Sequence, residues 1–525
     1  MKKIVQKEAN KSIEPYSLLL TLVSCVVALF LSTPASASLV KTTPRGDVDL
    51  NGIVNVSDIT TLIDTLLYGN YTYWCDVDYN GELNISDLTT LINAISTNSE
   101  LHSATCSGTL PVVMINTENK WGVISKEDYI NASLYAIYPD GKTFGSEASP
   151  YTLRIRGRGN STWTNPPKKP YKLKFDEKVG LMGLNKNKDF TLLPDYLDWW
   201  GYLQNAVGFE LSRKIGLDYT PNQIPVEVVM NGAYIGLYFL TEQIKVGKNR
   251  VNITEQEDEE TDPEKITGGW LIEIENYPES TSIPIFEHDN RDRQTLYFTS
   301  HSPEILSSKQ KNYITQFLQA TDSAIYCTHP LCNDWEKYID IESLAKFYIV
   351  NEILDNKEAF SGSCWMSKDR GENTRLKFGP VWDFGSSFAA WNPQDSTCFN
   401  AFIYDRLPEY ANTHWIKGIC QHPHFIKKVK SIWYNFYKNE YPSIFSFIDN
   451  FIDNIKDAAQ ADFIRWPNGN SDLLEQRKDM FFVPSLKLKV KWLQEQWKMI
   501  DDTPYTQDSL EQKATSTKNE KQNIF

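Results

Sequence analysis

The sequence predicts an α+β fold of two lobes preceded by a small all-α module, and three observations carry that expectation. Two acidic twelve-residue segments near the N-terminus are each followed by a short stretch of helical apolar periodicity. Beyond about residue 110, strand-like runs are interrupted by one helical segment. From Glu304 onward helical patterns dominate, so a β-rich half and a helical half should face each other across a cleft. The 525 residues exceed one compact core. Hydrophobic residues make up 41%, charged 23% and aromatic 13%, with 26 Gly and 25 Pro, which excludes collagen-like, coiled-coil and wholly disordered chains. With 53 Lys and Arg against 67 Asp and Glu the formal charge is −14, which argues against nucleic acid as a partner and favours cations.

The first segment is expected to be a targeting signal. Lys2, Lys3, Lys7 and Lys11 precede an apolar run from Leu18 to Leu31, and Ala35-Ser36-Ala37 forms a small-x-small cleavage site, so residues 1–37 read as a secretory signal peptide. The mature chain is then secreted and is extracellular, cell-surface or periplasmic. A membrane anchor is the first rival, but the run is shorter than the ~20 residues a spanning helix needs, and no later segment is apolar enough. Lipidation at Cys25 is the second rival and ranks lower, because apolar Val26, Val27 and Ala28 follow the cysteine. Seven cysteines remain after cleavage. Cys327 and Cys332 could close a short disulfide loop, and no CxxC pairing suggests zinc.

The acidic segments are an internal repeat. Asp47-Val-Asp-Leu-Asn-Gly-Ile-Val-Asn-Val-Ser-Asp58 recurs as Asp76-Val-Asp-Tyr-Asn-Gly-Glu-Leu-Asn-Ile-Ser-Asp87, an offset of 76 − 47 = 29. Oxygen-bearing side chains fall at positions 1, 3, 5, 9 and 12, and Gly52 and Gly81 stand at position 6, where a chain must turn sharply round an ion. Such loops bind Ca²⁺. One ion would take Asp47, Asp49, Asn51, Asn55, Asp58 and the carbonyl of Ile53; the other would take Asp76, Asp78, Asn80, Asn84, Asp87 and the carbonyl of Glu82. Helices Ile59–Leu67 and Leu88–Ile95 follow the loops. Loop-then-helix, with Asp at position 12, resembles a type I dockerin over residues 45–98. That resemblance implies docking onto a cohesin-like module, or onto an intramolecular partner, through positions corresponding to Val56-Ser57 and Ile85-Ser86. Loops this acidic should fold once calcium offsets carboxylate repulsion, so chelation is expected to unfold the module and spare the rest.

A polar linker, Ser96 to Gly108, should lead into a mixed α/β domain over residues 110–500, with 501–525 as a polar, disordered tail. Strands are expected at Leu110–Ile115, Tyr151–Arg156, Tyr171–Phe175, Val226–Met230, Tyr234–Leu240 and Leu376–Phe378. Asn231-Gly232 should turn a hairpin, and helices should cover Asp198–Ile215 and Ile341–Leu354.

Four segments could carry chemistry. The glycines and guanidinium groups of Arg154-Ile-Arg-Gly-Arg-Gly-Asn-Ser-Thr-Trp163 could hold an anion. In Lys168-Lys-Pro-Tyr-Lys-Leu-Lys-Phe175, alternation puts Lys172 and Lys174 opposite Tyr171, Leu173 and Phe175. Glu242-Gln243-Ile244 follows the hairpin where the chain could cross between lobes. A helix then runs into Asp355-Asn356-Lys357-Glu358, and Gly379-Pro-Val-Trp-Asp-Phe-Gly385 follows a strand, the order in which a phosphotransferase places a base and a metal ligand.

In this order the segments resemble the spore-coat CotH-type kinases, atypical kinases with a protein-kinase-like core that use ATP. The resemblance rests on Arg156-Gly-Arg-Gly-Asn-Ser-Thr-Trp163, Lys168-Lys169-x-Tyr171, the Asn231-Gly-x-Tyr-x-Gly-x-Tyr238 hairpin with Glu242, Asn356-x-Glu358 and Pro380-Val-Trp-Asp383. It implies that Asp383 holds Mg²⁺, that Lys169 contacts nucleotide phosphates in a site shared with Arg156, Lys172 and Glu242, and that Glu358 is the general base. The second magnesium position, usually Asn, falls at Ser363. Gly385 replaces a second acid, Glu358 a shorter Asp, and Gln204-Asn205 an Arg-Asn pair. The expected activity is transfer of the γ-phosphate of ATP to a protein Ser/Thr or another hydroxyl, with the phosphoacceptor unspecified. Two alternatives stand beside it: a pseudokinase that binds or scaffolds without chemistry, and a carbohydrate-active or glycan-binding protein, suggested by 15 Trp and 27 Tyr.

Overall fold

The computed structural model describes residues 40–196, 202–285, 295–327, 329, 333–406, 415–467 and 473–498. The expected signal peptide with Cys25, Cys332, the start of the expected helix at Asp198 and the tail 501–525 lie outside the described residues. The described residues form one compact unit. Cys327 is disulfide-bonded. No helix among the described residues is long and apolar enough to cross a membrane.

Each acidic loop feeds a helix, α1 Val56–Tyr68 and α2 Ile85–Thr97. Both starts are capping boxes: the Asn55 and Asn84 side chains accept from the helix backbone while Asp58 and Asp87 reach back to the cap amides. Loop position 12 is therefore also helix position N3, so loop and helix fold as one element. Leu62, Leu91, Val48, Val77 and Cys75 are the small core between them.

Eight strands follow: β1 Val112–Thr117, β2 Ile130–Ile137, β3 Thr143–Phe144, β4 Tyr151–Gly157, β5 Tyr171–Val179, β6 Asn187–Pro194, β7 Gln223–Met230 and β8 Ala233–Glu242. Their order is β1-β7-β8-β6-β5-β4-β2-β3, and β1 also pairs with β2, so seven of them close into a barrel. One face of each strand fills it, with Leu153, Ile155, Leu173, Phe175, Phe190, Leu192 and Leu240 packed together. The β7–β8 hairpin turns at Asn231 (φ 56°) and Gly232 (φ 91°), the two left-handed residues that an Asn-Gly turn supplies.

The rest is built around a five-stranded sheet and a helical layer. Strands β9 Trp270–Ile274, β10 Ile283–Ile285, β11 Leu296–Ser302, β12 Cys364–Lys368 and β13 Lys377–Phe378 run in the order β10-β11-β9-β12-β13. The helices are the short α3 Ser161–Thr164, then α4 Leu203–Ile215, α5 Ser308–Tyr326, α6 Ile341–Ile353, α7 Trp415–Ile419, α8 Pro423–Asn439, α9 Tyr441–Arg465, α10 Leu474–Arg477 and α11 Val483–Trp497. A second, larger core joins them and includes Phe347, Phe384, Trp433 and Trp497. Leu237 and Phe239 on the outer face of β8 belong to this core, so the helical layer packs directly on the barrel wall.

Two expectations about the N-terminal region need correction. The polar stretch Ser96–Gly108 is not a free linker: Ala104 and Cys106 are buried, and Ser107 donates its amide to the buried Glu227 carboxylate at 2.9 Å. The module is also not a separate bead. Tyr73, between the two loops, enters the barrel core, its hydroxyl 3.0 Å from that of Tyr171 and accepting from the Val123 amide at 3.2 Å. Gly122 donates to the Tyr71 carbonyl at 2.8 Å. The module covers one end of the barrel, which a linear pattern of loops and helices does not reveal.

Candidate active site and acidic loops

Strand alternation decides which basic residues can meet the carboxylates. On β4 and β5 the odd-numbered side chains enter the barrel, so Arg154, Arg156, Lys172 and Lys174 stand on its outer wall. Arg156 pairs across strands with Lys172, and Lys172 with Thr191 of β6. The Arg156 guanidinium donates to the Lys126 carbonyl, lies 3.8 Å from Glu127 and covers the Tyr129 ring at 4.9 Å. Burial pulls the Lys172 ammonium down to about 8, Lys245 pushes it the same way, and Asp189 opposes both. Arg158 continues this parity beyond the strand and lies over the Trp382 ring at 5.6 Å. Burial lowers its value against the charges of Asp383 and Glu273.

Asp383 is the centre of the arrangement. Its backbone is left-handed (φ 55°), a conformation that costs a non-glycine residue about 1–2 kcal/mol and persists only where neighbours enforce it. They do so on both sides. The Phe384 amide donates to Asn205 Oδ1 of α4 at 3.2 Å, and its ring is buried against Gly208, where a Cβ would meet it at 2.2 Å. Asn356 donates to the Asp383 carbonyl at 3.2 Å and to Asn351 Oδ1 at 3.1 Å. The Asp383 side chain is open to solvent although protein mass surrounds it. Burial among that mass raises its carboxyl. The Gly385 amide, 3.4 Å from Oδ1, and Arg158 oppose the rise, while Glu358 and Glu273 add to it.

Glu358 is exposed on a turn whose base is rigid. Beneath it Lys489, fully buried, lies 2.8 Å from Asp355 and 3.0 Å from Glu352, tying α11 to the end of α6. Ser363 (φ 51°) leads into β12, whose first residue, Cys364, pairs with Ile274 of β9. Glu273, one residue earlier on β9, lies 2.7 Å from His301 Nε2, and the His301 ring stacks on Trp365 at 4.4 Å.

The structure thus brings Glu358 within charge range of Asp383 and sets Arg156 beside Lys172, but it places two expected residues elsewhere. Lys169 has the parity of Tyr171, so it falls at the barrel end, where it donates to the Trp163 carbonyl at 2.7 Å and feels Glu82 of the second acidic loop. Its neighbour Lys168 is buried in an ion pair with Asp462 at 2.7 Å. Glu242 is fully buried: Oε1 accepts from the Asn185 amide at 2.8 Å, and Oε2 from the Tyr219 hydroxyl at 3.0 Å and the Asn222 amide at 3.1 Å. These contacts make it a brace between loops. Arg158 belongs to the arginine segment expected to hold an anion, whereas no motif in the sequence marked Glu273 as a site residue. Arg158 extends the even-numbered parity of Arg154 and Arg156, and Glu273 is an acid inside the apolar run Trp270-Leu-Ile-Glu-Ile274, where strand parity alone marks it out.

In the acidic loops, Asp47, Asp49 and Asp58 converge, as do Asp76, Asp78 and Asp87, each trio offering oxygens within 4.8 Å of one another. The Asn51 and Asn80 carbonyl oxygens accept from the Ile53 and Glu82 amides at 2.8 and 2.7 Å, and the Asn55 and Asn84 oxygens accept from Ser57 and Ser86 amides at 2.8 Å. Asp47 and Asp76 are buried, and Oδ1 of each has no donor among the described residues. Two buried carboxylate oxygens left bare in equivalent positions suit a cation. Burial raises the Asp47 and Asp87 carboxyls, with neighbouring aspartates adding to the rise.

The chain matches the family model described as CotH kinase protein over residues 154–494, more than half its length, and belongs to that family. No curated protein matches it. The acidic loops lie outside the matched span.

Proposed function

We propose that this protein is an exported CotH-type kinase that transfers the γ-phosphate of ATP to a protein Ser/Thr or another hydroxyl, with two Ca²⁺ ions in its N-terminal loops. The observation that carries this reading is Asp383, solvent-exposed and held in a left-handed backbone within charge range of Glu358, Arg158 and Glu273. Asp383 and Ser363 would hold magnesium, which supplies neutralisation of charge on the phosphoryl oxygens. Arg158, with Arg156 and Lys172 farther along the wall, would orient the phosphates. Glu358 would accept the proton as the hydroxyl oxygen bonds to the γ-phosphorus and the bond to ADP breaks.

Purified protein with Mg·ATP should release ADP, Asp383→Ala should abolish release, and Glu358→Gln should reduce it by at least about 100-fold. Absence of turnover with any divalent metal would refute the kinase reading. A second reading, a pseudokinase, is favoured by Gly385, where the family pattern has an acid. It expects thermal stabilisation by nucleotide without ADP.

The glycan reading draws no support from Trp270, Trp433 and Trp497, which are among the largest fully buried side chains. Docking of a cohesin-like partner is supported by exposed Val56 and Ile85, 64% and 68% accessible. Calcium titration of the full chain, compared with Asp47→Ala and Asp76→Ala, tests the loops.

A further inference from the structure

The two acidic loops match in sequence but not in surroundings. A Cβ on Gly52 would meet nothing within 4 Å, whereas one on Gly81 would lie 2.3 Å from Pro167 Cβ and 3.2 Å from the Trp466 ring. Asp47 Oδ2 and Asp76 Oδ2 each accept from the glycine amide of their own loop at 3.0 Å. Asp76 Oδ2 alone has a cation against it: Arg465 Nη2 at 2.5 Å, both residues being 1% exposed or less. The Arg465 guanidinium lies over Tyr79 of the same loop at 4.5 Å and over Trp466 at 3.9 Å.

Arg465 is placed by the large domain and not by the loop. One turn earlier on α9, Asp462 accepts from Lys168 at 2.7 Å, the Tyr202 hydroxyl at 2.8 Å and the Leu237 amide at 2.8 Å. One residue later, Trp466 donates to the Ile235 carbonyl at 3.0 Å. Asp462 approaches so closely that a Cβ on Gly236 would lie 2.2 Å from it.

We propose that Arg465 is a built-in counter-cation for the second loop, so that residues 76–87 stay folded and docked without calcium while residues 47–58 depend on it. Three converging carboxylates need a positive charge to fold together. In the second loop a guanidinium fixed by the rest of the fold supplies one on Oδ2, and the bare Oδ1 remains for calcium. The first loop has no such cation among the described residues. The expectation that chelation releases the whole module is replaced by release of its outer half, which carries Val56 and Ser57. This inference rests on the calcium reading above.

Hydrogen exchange of the full chain in calcium and in EGTA tests it. Chelation should speed exchange of the Val48–Asn55 amides by at least about tenfold and change the Val77–Asn84 amides by less than about twofold. Arg465→Met should make Val77–Asn84 as calcium-dependent as the first loop, and Arg465→Lys should restore much of the protection. Equal loss from both loops in the unaltered chain overturns the inference without any variant, as does full protection of Val77–Asn84 in Arg465→Met under EGTA. If neither loop responds to millimolar calcium, the calcium reading itself falls and the inference with it.

Discussion

Removing either partner of the Lys168–Asp462 pair should separate a structural lysine from a phosphate-binding one. The two charged groups are 2.7 Å apart and 0% and 1% exposed, so neither can recover hydration when the other is lost. In Asp462→Asn the ammonium keeps the Asp195 carbonyl at 3.2 Å and the faces of Tyr238 and Tyr202 at 5.1 and 5.9 Å, but its closest counter-charge is gone. Leaving a buried charge uncompensated costs about 3–5 kcal/mol. In Lys168→Met the carboxylate retains the Tyr202 hydroxyl and the Leu237 amide, so the loss should fall at the low end of that range, about 3 kcal/mol. The double variant should be more stable than the sum of the single losses by at least about 1 kcal/mol. Urea unfolding followed by tryptophan fluorescence reads all three, since Trp466 adjoins the pair in the fold through its bond to Ile235. If Lys168→Met unfolds within about 0.5 kcal/mol of the unaltered chain while nucleotide binding is lost, the lysine serves phosphate and the reasoning from burial is wrong.

Lys172 should give nucleotide binding a pH dependence. Its folded-state value, lowered by burial to about 8, means the ammonium is present at pH 7 and lost as pH rises through 8. Nucleotide affinity should fall roughly tenfold between pH 7 and 9, as for loss of one charged hydrogen bond, and Lys172→Met should flatten the profile. The stability contribution runs the other way. The unfolded lysine holds its proton up to its ordinary value, so stability from this group rises with pH between the two values. The loop glycines should differ as their surroundings do. Gly52→Ala and Gly81→Ala share a φ of 88° and the left-handed cost of about 1–2 kcal/mol, but Gly81→Ala adds overpacking against Pro167 worth about 1–3 kcal/mol more. Equal losses in thermal unfolding would mean that Pro167 yields freely.

Where side-chain chemistry is local, the order of residues sets the outcome. The repeat at 47 and 76 specifies loop, cap and helix together, because Asp58 and Asp87 serve as loop position 12 and helix position N3 at once. Period-two alternation placed Lys172 and Arg156 on a different wall from Tyr171 and Leu173, and Asn231-Gly232 set the hairpin. The order of Asn356-x-Glu358 and Trp382-Asp383 was likewise readable as a pair of carboxylates on neighbouring loops. Long-range closure decided the rest. That β1 pairs with both β7 and β2 makes a barrel, and no local pattern records which strands meet across 100 residues. Glu242 and Lys168 look like site residues in a linear motif, but burial gives them partners, at Asn185, Tyr219 and Asn222 for one and Asp462 for the other. A buried charge is held wherever its counter-charge lies, and for Lys168 that residue stands 294 positions away on a helix of the other layer. The same holds for Asp76 and Arg465. The same ligand residues at the same spacing specify the same loop, and the packing of α9 against one of them makes the two unlike.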